Sequence, residues 1–364
     1  MAAQGIDAYA LVHATVRALR TELLSPEAWT ALIQAESYDA VLDSLEKTVY
    51  GPYLDIPGGH ARLTPRRLIY QLRWHLSDMY VKLIGLVPEP GRQLLVELWH
   101  HYEVDNVKAV LRGIETGAAW EQILFLLEPM GKYTALALSD LEAMAKSSDV
   151  AQAIERTRRT PYYNTLSHAL ERYRTEQNLF PLEVALDLDY RRRLWESIHK
   201  MKGRDRQEAL RTVGNELDVD NLLWAIRYRV YHHLSSEEII NYTLPMGYQV
   251  KDEDIRAIAA GENIAQVVKK IYPSLEGVDS FAAQPEAHIE ELEHALRRYI
   301  VDACRAAFVG YPFHIGIPLA YLWLNEYEIN DLTVLVEAKA SGLGPEVFLS
   351  KLNMLPAPGG PVQR

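Results

Sequence analysis

Tyr102-Glu103-Val104-Asp105-Asn106-Val107 is a segment that the chain writes three times. It returns as Leu217-Asp218-Val219-Asp220-Asn221-Leu222 and again as Tyr327-Glu328-Ile329-Asn330-Asp331-Leu332. The central positions Asp105, Asp220 and Asn330 lie 115 and 110 residues apart. Each copy is expected to open an amphipathic helix, with apolar residues at i, i+3 and i+7. These are Val104, Val107 and Leu111; Val219, Leu222 and Ile226; Ile329, Leu332 and Val336. Repetition at domain-sized intervals decides the fold, because each copy marks a unit that recurs as a whole.

The repeat reaches beyond the acidic segment. Pro129-Met130-Gly131 returns 116 residues later as Pro245-Met246-Gly247. Upstream, Leu24-Ser25-Pro26-Glu27 followed by Thr48-Val49-Tyr50 is echoed by Leu138-Ser139-Asp140-Leu141 followed by Thr160-Pro161-Tyr162. A weaker third copy runs from Asp254-Ile255 through Ile264, Val267 and Val268 to Tyr272. Helical periodicity dominates elsewhere. Asp7 to Leu24 reads as a first helix, and Thr64-Pro65 as an N-cap with Pro at the first helical position. A long helix is expected from there to Leu86, ended by Val87-Pro88-Glu89-Pro90-Gly91. Two further long helices are expected at about 183–199 and 286–309, and Asp55-Ile56-Pro57-Gly58-Gly59-His60 breaks the pattern. The fold class is therefore all-α: three homologous helical modules at 1–125, 126–240 and 241–354, then a flexible tail at 355–364.

Composition narrows the function classes. A length of 364 residues suits two or three domains, and 48% apolar residues supply a full core. The net charge of −11 argues against a nucleic-acid partner. The single cysteine, Cys304, excludes an intramolecular disulfide and reads as a small buried hydrophobe. No apolar run approaches the roughly 20 residues that span a bilayer. The start of the chain lacks the basic-then-apolar layout of a signal peptide. Contact with a membrane is accordingly expected through partners.

Catalytic and metal chemistry find little support. His101 and Asp105 have the i, i+4 spacing of a helical metal pair, but the second and third copies carry no imidazole near their acids. Asp218-Val219-Asp220-Asn221 resembles the start of a calcium loop, yet the required Gly and Glu positions hold Leu223 and Arg229. Phosphate-binding, dinucleotide-binding and nucleophile-elbow signatures are missing from the sequence. A metal-dependent enzyme would need an ion at Glu103 and Asp105 or at Asp218 and Asp220. Structural roles explain more. Asp105 and Arg112, like Asp220 and Arg227, lie seven residues apart on one helix face, roughly 10 Å along the axis. They are expected to bond neighbouring helices or, for the acids, the N-terminal amides of their own helix. The third copy has Asn330 and Glu337 in those places. The clusters Arg156-Thr157-Arg158-Arg159, Arg191-Arg192-Arg193 and Arg297-Arg298 are expected on solvated helix faces.

At the acidic motifs the sequence resembles the C subunit of archaeal and bacterial V/A-type rotary ATPases, the counterpart of the d subunit of eukaryotic vacuolar ATPases. The residues that carry the resemblance are Tyr102 to Lys108 with Leu111-Arg112-Gly113, then Glu216 to Leu222 with Ile226-Arg227. The third set is Gly316 to Trp323 running into Asn325 to Leu332, then Lys339 and Gly342-Leu343. Thr333 and Glu337 depart from the first copy, which has Lys108 and Arg112 there. The resemblance implies a non-catalytic rotor part without a cofactor: three helical domains about a pseudo-threefold axis, forming a funnel with a central cavity. It implies a socket between the central-stalk shaft subunits and the membrane proteolipid ring, passing torque between ATP chemistry and H⁺ or Na⁺ transport. It also implies a peripheral place on the cytoplasmic face of the membrane. Glu103, Asp105, Asn106, Arg112, Asp218, Asp220, Asn221, Arg227, Glu328, Asn330 and Asp331 are then structural or partner-binding. In particular, Glu103, Asp218 and Glu328 are expected to steer a basic shaft tip. The other class in view is an all-helical interaction scaffold unrelated to rotary ATPases.

Overall fold

The computed structural model describes residues 2–56, 59, 63–275, 278, 281 and 285–355. Helix accounts for 72% of it and no strand occurs among the described residues, so the all-α class holds. The helices are α1 (Ala2–Arg20), α2 (Pro26–Gln34), α3 (Tyr38–Leu45), α4 (Gly51–Leu54), α5 (Pro65–Leu86) and α6 (Gly91–Thr116). Next come α7 (Trp120–Leu124), α8 (Leu138–Ala145), α9 (Val150–Arg156), α10 (Tyr163–Glu176), α11 (Phe180–Lys200) and α12 (Gly203–Ala209). After a π-helical turn at Leu210–Gly214 follow α13 (Asn215–Val230), α14 (Ser236–Asn241), α15 (Asp252–Ala259) and α16 (Ile264–Ile271). The last are α17 (Pro285–Ala306), α18 (Gly316–Ala340) and α19 (Pro345–Phe348). The expected tail lies outside the described residues from 356 onward, as do Pro57, Gly58 and His60 of the expected break.

Local sequence explains the long helices. The Thr64 hydroxyl accepts from Arg67 N at 3.4 Å and Pro65 follows at the first helical position, so α5 starts where its cap places it. Pro88 and Pro90 end it, and α6 runs on to Gly117, whose φ of 67° closes the C-terminus in the left-handed region. The acidic segment does not open these helices. In α6 it begins at the twelfth residue, and in α18 it also lies mid-helix. In α13 it follows the π turn without a break. The reason is visible upstream: Leu94, Leu95, Leu98 and Trp99 continue the buried stripe of Val104, Val107 and Val110, and no cap intervenes.

Two compact units divide the described chain. One comprises residues 2–26, 198–334 and 345–355. The other comprises Glu27–Ser197 and Leu335–Gly344. In the first, α13 packs on α15 and α17, burying Val219, Leu222 and Ile226 with Ile255, Leu296 and Ile300. In the second, α6 packs on α5 and α8, burying Leu98, Val107 and Leu111 with Leu72, Leu76 and Met144. Each such side chain contributes about 1.5–3 kcal/mol. Cys304 is buried in the first core and burial pushes its thiol pKa up, as expected of a small core residue.

Candidate functional site

In the second unit Glu103 is fully buried on α6. Its two oxygens are spent on two parts of the chain: Leu136 N donates to Oε1 at 2.5 Å, and the Tyr162 hydroxyl donates to Oε2 at 2.5 Å. Burial and the carboxylate charge push the Tyr162 phenol pKa far up, so it stays a donor. One turn on, Asn106 holds Glu128 at both backbone groups, accepting from its N at 2.6 Å and donating to its O at 2.9 Å. The Glu128 side chain pairs with Arg73 at 2.7 Å, and burial raises its carboxyl to about 7 against that cation.

The second copy repeats the plan in the first unit. Asn221 accepts from Leu244 N at 2.8 Å and donates to Leu244 O at 3.0 Å. Asp218, 1% exposed, accepts three consecutive backbone N–H groups: Tyr248 at 2.8 Å, Val250 at 3.0 Å and Gln249 between them. Burial raises its carboxyl to about 6 against those three donors. Gly247 is required here, because a Cβ would strike Val250 O and Asp218 Oδ1.

The third copy keeps the two positions and makes the second of them acidic as well. Glu328 Oε2 accepts from Leu24 N at 2.8 Å. Asp331 takes the place of the asparagine, accepting from Asn353 N at 2.9 Å, Met354 N at 2.7 Å and Asn353 Nδ2 at 3.2 Å. Burial raises the Asp331 carboxyl to about 6 as well. A rule links the three. The earlier acid grips the chain two residues before a short helix that opens a repeat: Leu136 before α8, Val250 before α15 and Leu24 before α2. The later residue holds a segment 22 or 23 positions on: Glu128, Leu244, and Asn353 with Met354.

The other predicted residues form a polar face beside these clasps. Asp105 pairs with Lys108 at 2.8 Å and lies 3.4 Å from His101 Nε2. Burial would raise its pKa, but His101 and Lys108 beside it hold it below the usual range. Lys108 reaches Asp187 of α11 at 2.8 Å, and Arg112 reaches Glu183 at 2.6 Å. In the first unit Asp220 takes Arg297 of α17 at 2.6 Å, while Arg227 pairs with Glu293. Asp105 and Arg112 line a cleft of about 670 Å³ in the second unit with Arg66 and Arg73. Arg227 and Asn330 line one of about 870 Å³ in the first with Glu293 and Arg297. Among the described residues no three His, Cys, Asp or Glu side chains are arranged to hold a metal ion.

Three expectations change. The acids are not bonded to N-terminal amides of their own helices, because those helices begin well upstream or run on unbroken. Glu103, Asp218 and Glu328 are buried with their oxygens turned to the chain's own donors, so they present no charge to a basic shaft. Two arginine clusters turn partly inward: Arg191 is buried beside the exposed Arg192, Arg193 bonds Glu97 and Asp189 at 3.1 Å each, and Arg297 serves Glu216 and Asp220. Of the three clusters, only that of Arg156, Arg158 and Arg159 is exposed at each of its arginines, as expected. Sequence reasoning missed Tyr162, although the recurring Thr-x-Tyr that marks it was already in view. It also left Lys108, Glu183, Asp187, Glu216 and Glu293 out of the candidate residues, although Lys108 and Glu216 stand in the stretches that carry the resemblance.

Comparison with known proteins gives this arrangement a context. The model of the ATP synthase (C/AC39) subunit family matches residues 12–349. The C subunit of the A-type ATP synthase of Methanocaldococcus jannaschii is 24% identical over 94% of this chain and 86% of its own length. That of Methanosarcina mazei is 25% identical over 96% and 94%, and that of Archaeoglobus fulgidus 25% identical over 93% and 94%.

Proposed function

The chain belongs to the ATP synthase (C/AC39) subunit family, and from that premise we propose that it is the non-catalytic central-stalk subunit of an A-type rotary ATPase. It is a socket between the shaft subunits and the proteolipid ring, transmitting torque for ATP-coupled H⁺ or Na⁺ transport. Three modules, at 1–125, 126–240 and 241–354, surround a central cavity in a pseudo-threefold funnel. The protein sits peripherally at the cytoplasmic face of the membrane.

The observation that carries this reading is the bond from Glu328 to Leu24 N. The first and second copies each hold the start of the repeat that follows. The third holds the start of the first, so the three copies form a closed cycle. A torque element needs such stiffness, and buried charge-assisted hydrogen bonds supply it. In this reading Glu103, Asn106, Asp218, Asn221, Glu328 and Asp331 are internal clasps. Asp105, Arg112, Asp220, Arg227 and Asn330 are the polar face turned toward partners. No helix among the described residues is long and apolar enough to cross a membrane.

The test is co-purification of a tagged copy from native membranes in mild detergent. Recovery of shaft subunits together with proteolipid is expected. Recovery of neither, with the rotary complex intact in the same extract, overturns the rotor role and leaves a helical scaffold.

A further inference from the structure

The sequence assigns membrane contact to partners alone, and one surface of the first unit departs from that. Residues 307–315 link α17 to α18, where the links α5–α6 and α11–α12 take only 87–90 and 201–202. The short links turn apolar residues inward, with Val87 and Met201 buried. The long link turns one outward: Val309 is 82% exposed, more than any other large hydrophobic side chain among the described residues. Beside it Gly310 has a φ of 99°, and no atom lies within 4 Å of where its Cβ would be. The turn therefore projects into solvent.

Its base is braced. Tyr311 packs edge-on to Phe313 at 5.5 Å, and Phe313 to His13 of α1 at 5.4 Å. Asp205 of α12 ties the end of the link to α1, accepting from Ile315 N at 2.9 Å and from the Tyr9 hydroxyl at 3.1 Å. Two cations sit over its rings, Arg20 over Phe308 at 4.5 Å and Arg204 over Tyr311 at 4.7 Å. Arg17 and Lys202 are exposed alongside them in sequence. Burial, and then the Arg17 charge, hold His13 below its ordinary pKa. The acids of this region are mostly engaged: Asp205 by its two donors, Glu208 with Arg204 at 3.6 Å and Asp302 with Arg305 at 3.3 Å. Glu22 is exposed.

We propose that this turn docks the protein directly on anionic phospholipid headgroups. Val309 and Tyr311 enter the interfacial layer, while Arg17, Arg20, Lys202 and Arg204 pair with phosphates. The inference goes beyond the rotor reading and does not depend on it. Charge selects the partner: in a chain of net charge −11, a cationic patch draws an anionic surface to itself. Shape favours lipid over protein. One exposed valine on a projecting turn offers no contour for a rigid pocket, whereas a fluid headgroup layer closes around it. So small an apolar tip gives weak, reversible, salt-sensitive attachment.

The experiment is sedimentation of the purified full chain with vesicles at low ionic strength. The chain is expected to pellet with phosphatidylcholine vesicles containing one-third phosphatidylglycerol, to stay in solution with phosphatidylcholine alone, and to be released by salt. At about fivefold per basic residue, Arg20→Gln with Arg204→Gln lowers partitioning roughly twenty-five-fold. Val309→Ser, which disturbs no ring contact, lowers it a few-fold, and Arg156→Gln with Arg159→Gln leaves it unchanged. Circular dichroism melting checks that each variant is folded. Failure to bind anionic vesicles, or binding that none of the tip variants weakens, overturns the proposal. Loss of proteolipid from the detergent complex in Val309→Ser, without any vesicle binding by the parent chain, would overturn it in favour of a protein contact. Recovery of shaft and ring by the parent chain reports separately on the rotor role.

Discussion

The clasp on α6 and the clasp on α13 grow from the same six-residue segment, yet they hold the chain by different means. Glu103 reaches one backbone amide and one phenol, tying α6 to two places, Leu136 and Tyr162. Asp218, one methylene shorter, reaches no phenol and gathers three adjacent amides, Tyr248 to Val250. The shorter arm draws the loop close, which is why Gly247 has no room for a side chain. Gly131, its counterpart by sequence, would meet only Val81 at 3.7 Å and Ser77 at 3.8 Å. A repeat thus keeps the place of an acid along a helix while side-chain length decides what that acid organises.

The sharpest way to break the comparison is Glu103→Ala. It strands a buried amide and a buried hydroxyl, each costing about 1–3 kcal/mol when unpaired, so urea denaturation should show a loss of about 3–5 kcal/mol. Next in size is a pH effect peculiar to the shorter arm. Burial raises Asp218 from 3.8 to about 6. Between those values the folded chain keeps a proton that the unfolded chain has lost, so stability falls as pH rises through the window. Below it both states are protonated and the group contributes nothing; above it the full penalty applies, up to about 3 kcal/mol. Asp218→Asn should unfold at lower urea near pH 4, yet show a flatter decline from pH 4 to pH 6 than the parent chain. An equal decline in both would remove Asp218 as its source.

The glycine pair comes third. Gly247→Ala forces a methyl into Val250 O and Asp218 and should cost about 1–3 kcal/mol. Gly131→Ala meets ordinary contacts and should change stability by less than about 0.5 kcal/mol. Similar urea midpoints for the two variants would show that Pro-Met-Gly plays one role in both copies.

What the sequence made legible and what it hid divide along physical lines. The 3.6-residue stripe exposed the long helices apart from α10, and the cap at Thr64 and the prolines at 88 and 90 fixed two boundaries. The same stripe misplaced the motif, because Leu94 to Trp99 carry the period upstream and the motif itself has no stop signal. The recurring acids were legible as a set. Their partners were not, since Leu136, Val250 and Leu24 contribute only a backbone amide, which leaves no mark in composition. The arginines at 191, 193 and 297 were misplaced for a related reason: a charged residue reads as exposed until the acid it faces is known, and Glu97 and Asp220 lie 96 and 77 positions away from their partners.

The smallest effect separates the two clasps most cleanly, because it removes one oxygen from each. Tyr162 and Tyr272 both close a Thr-x-Tyr or related stretch and both are buried. Tyr162 donates to Glu103 at 2.5 Å. The Tyr272 hydroxyl has no hydrogen-bond partner among the described residues, while burial and then the nearby Asp218 charge push its phenol pKa far up. Tyr162→Phe should therefore cost about 1.5 kcal/mol, the lower end of the worth of a hydrogen bond to a charged group. Tyr272→Phe removes only an unpaired buried hydroxyl and should be neutral or slightly stabilising. Equal losses in the two variants would mean that the aspartate also engages its tyrosine, and the difference in reach between Glu103 and Asp218 would no longer distinguish the clasps.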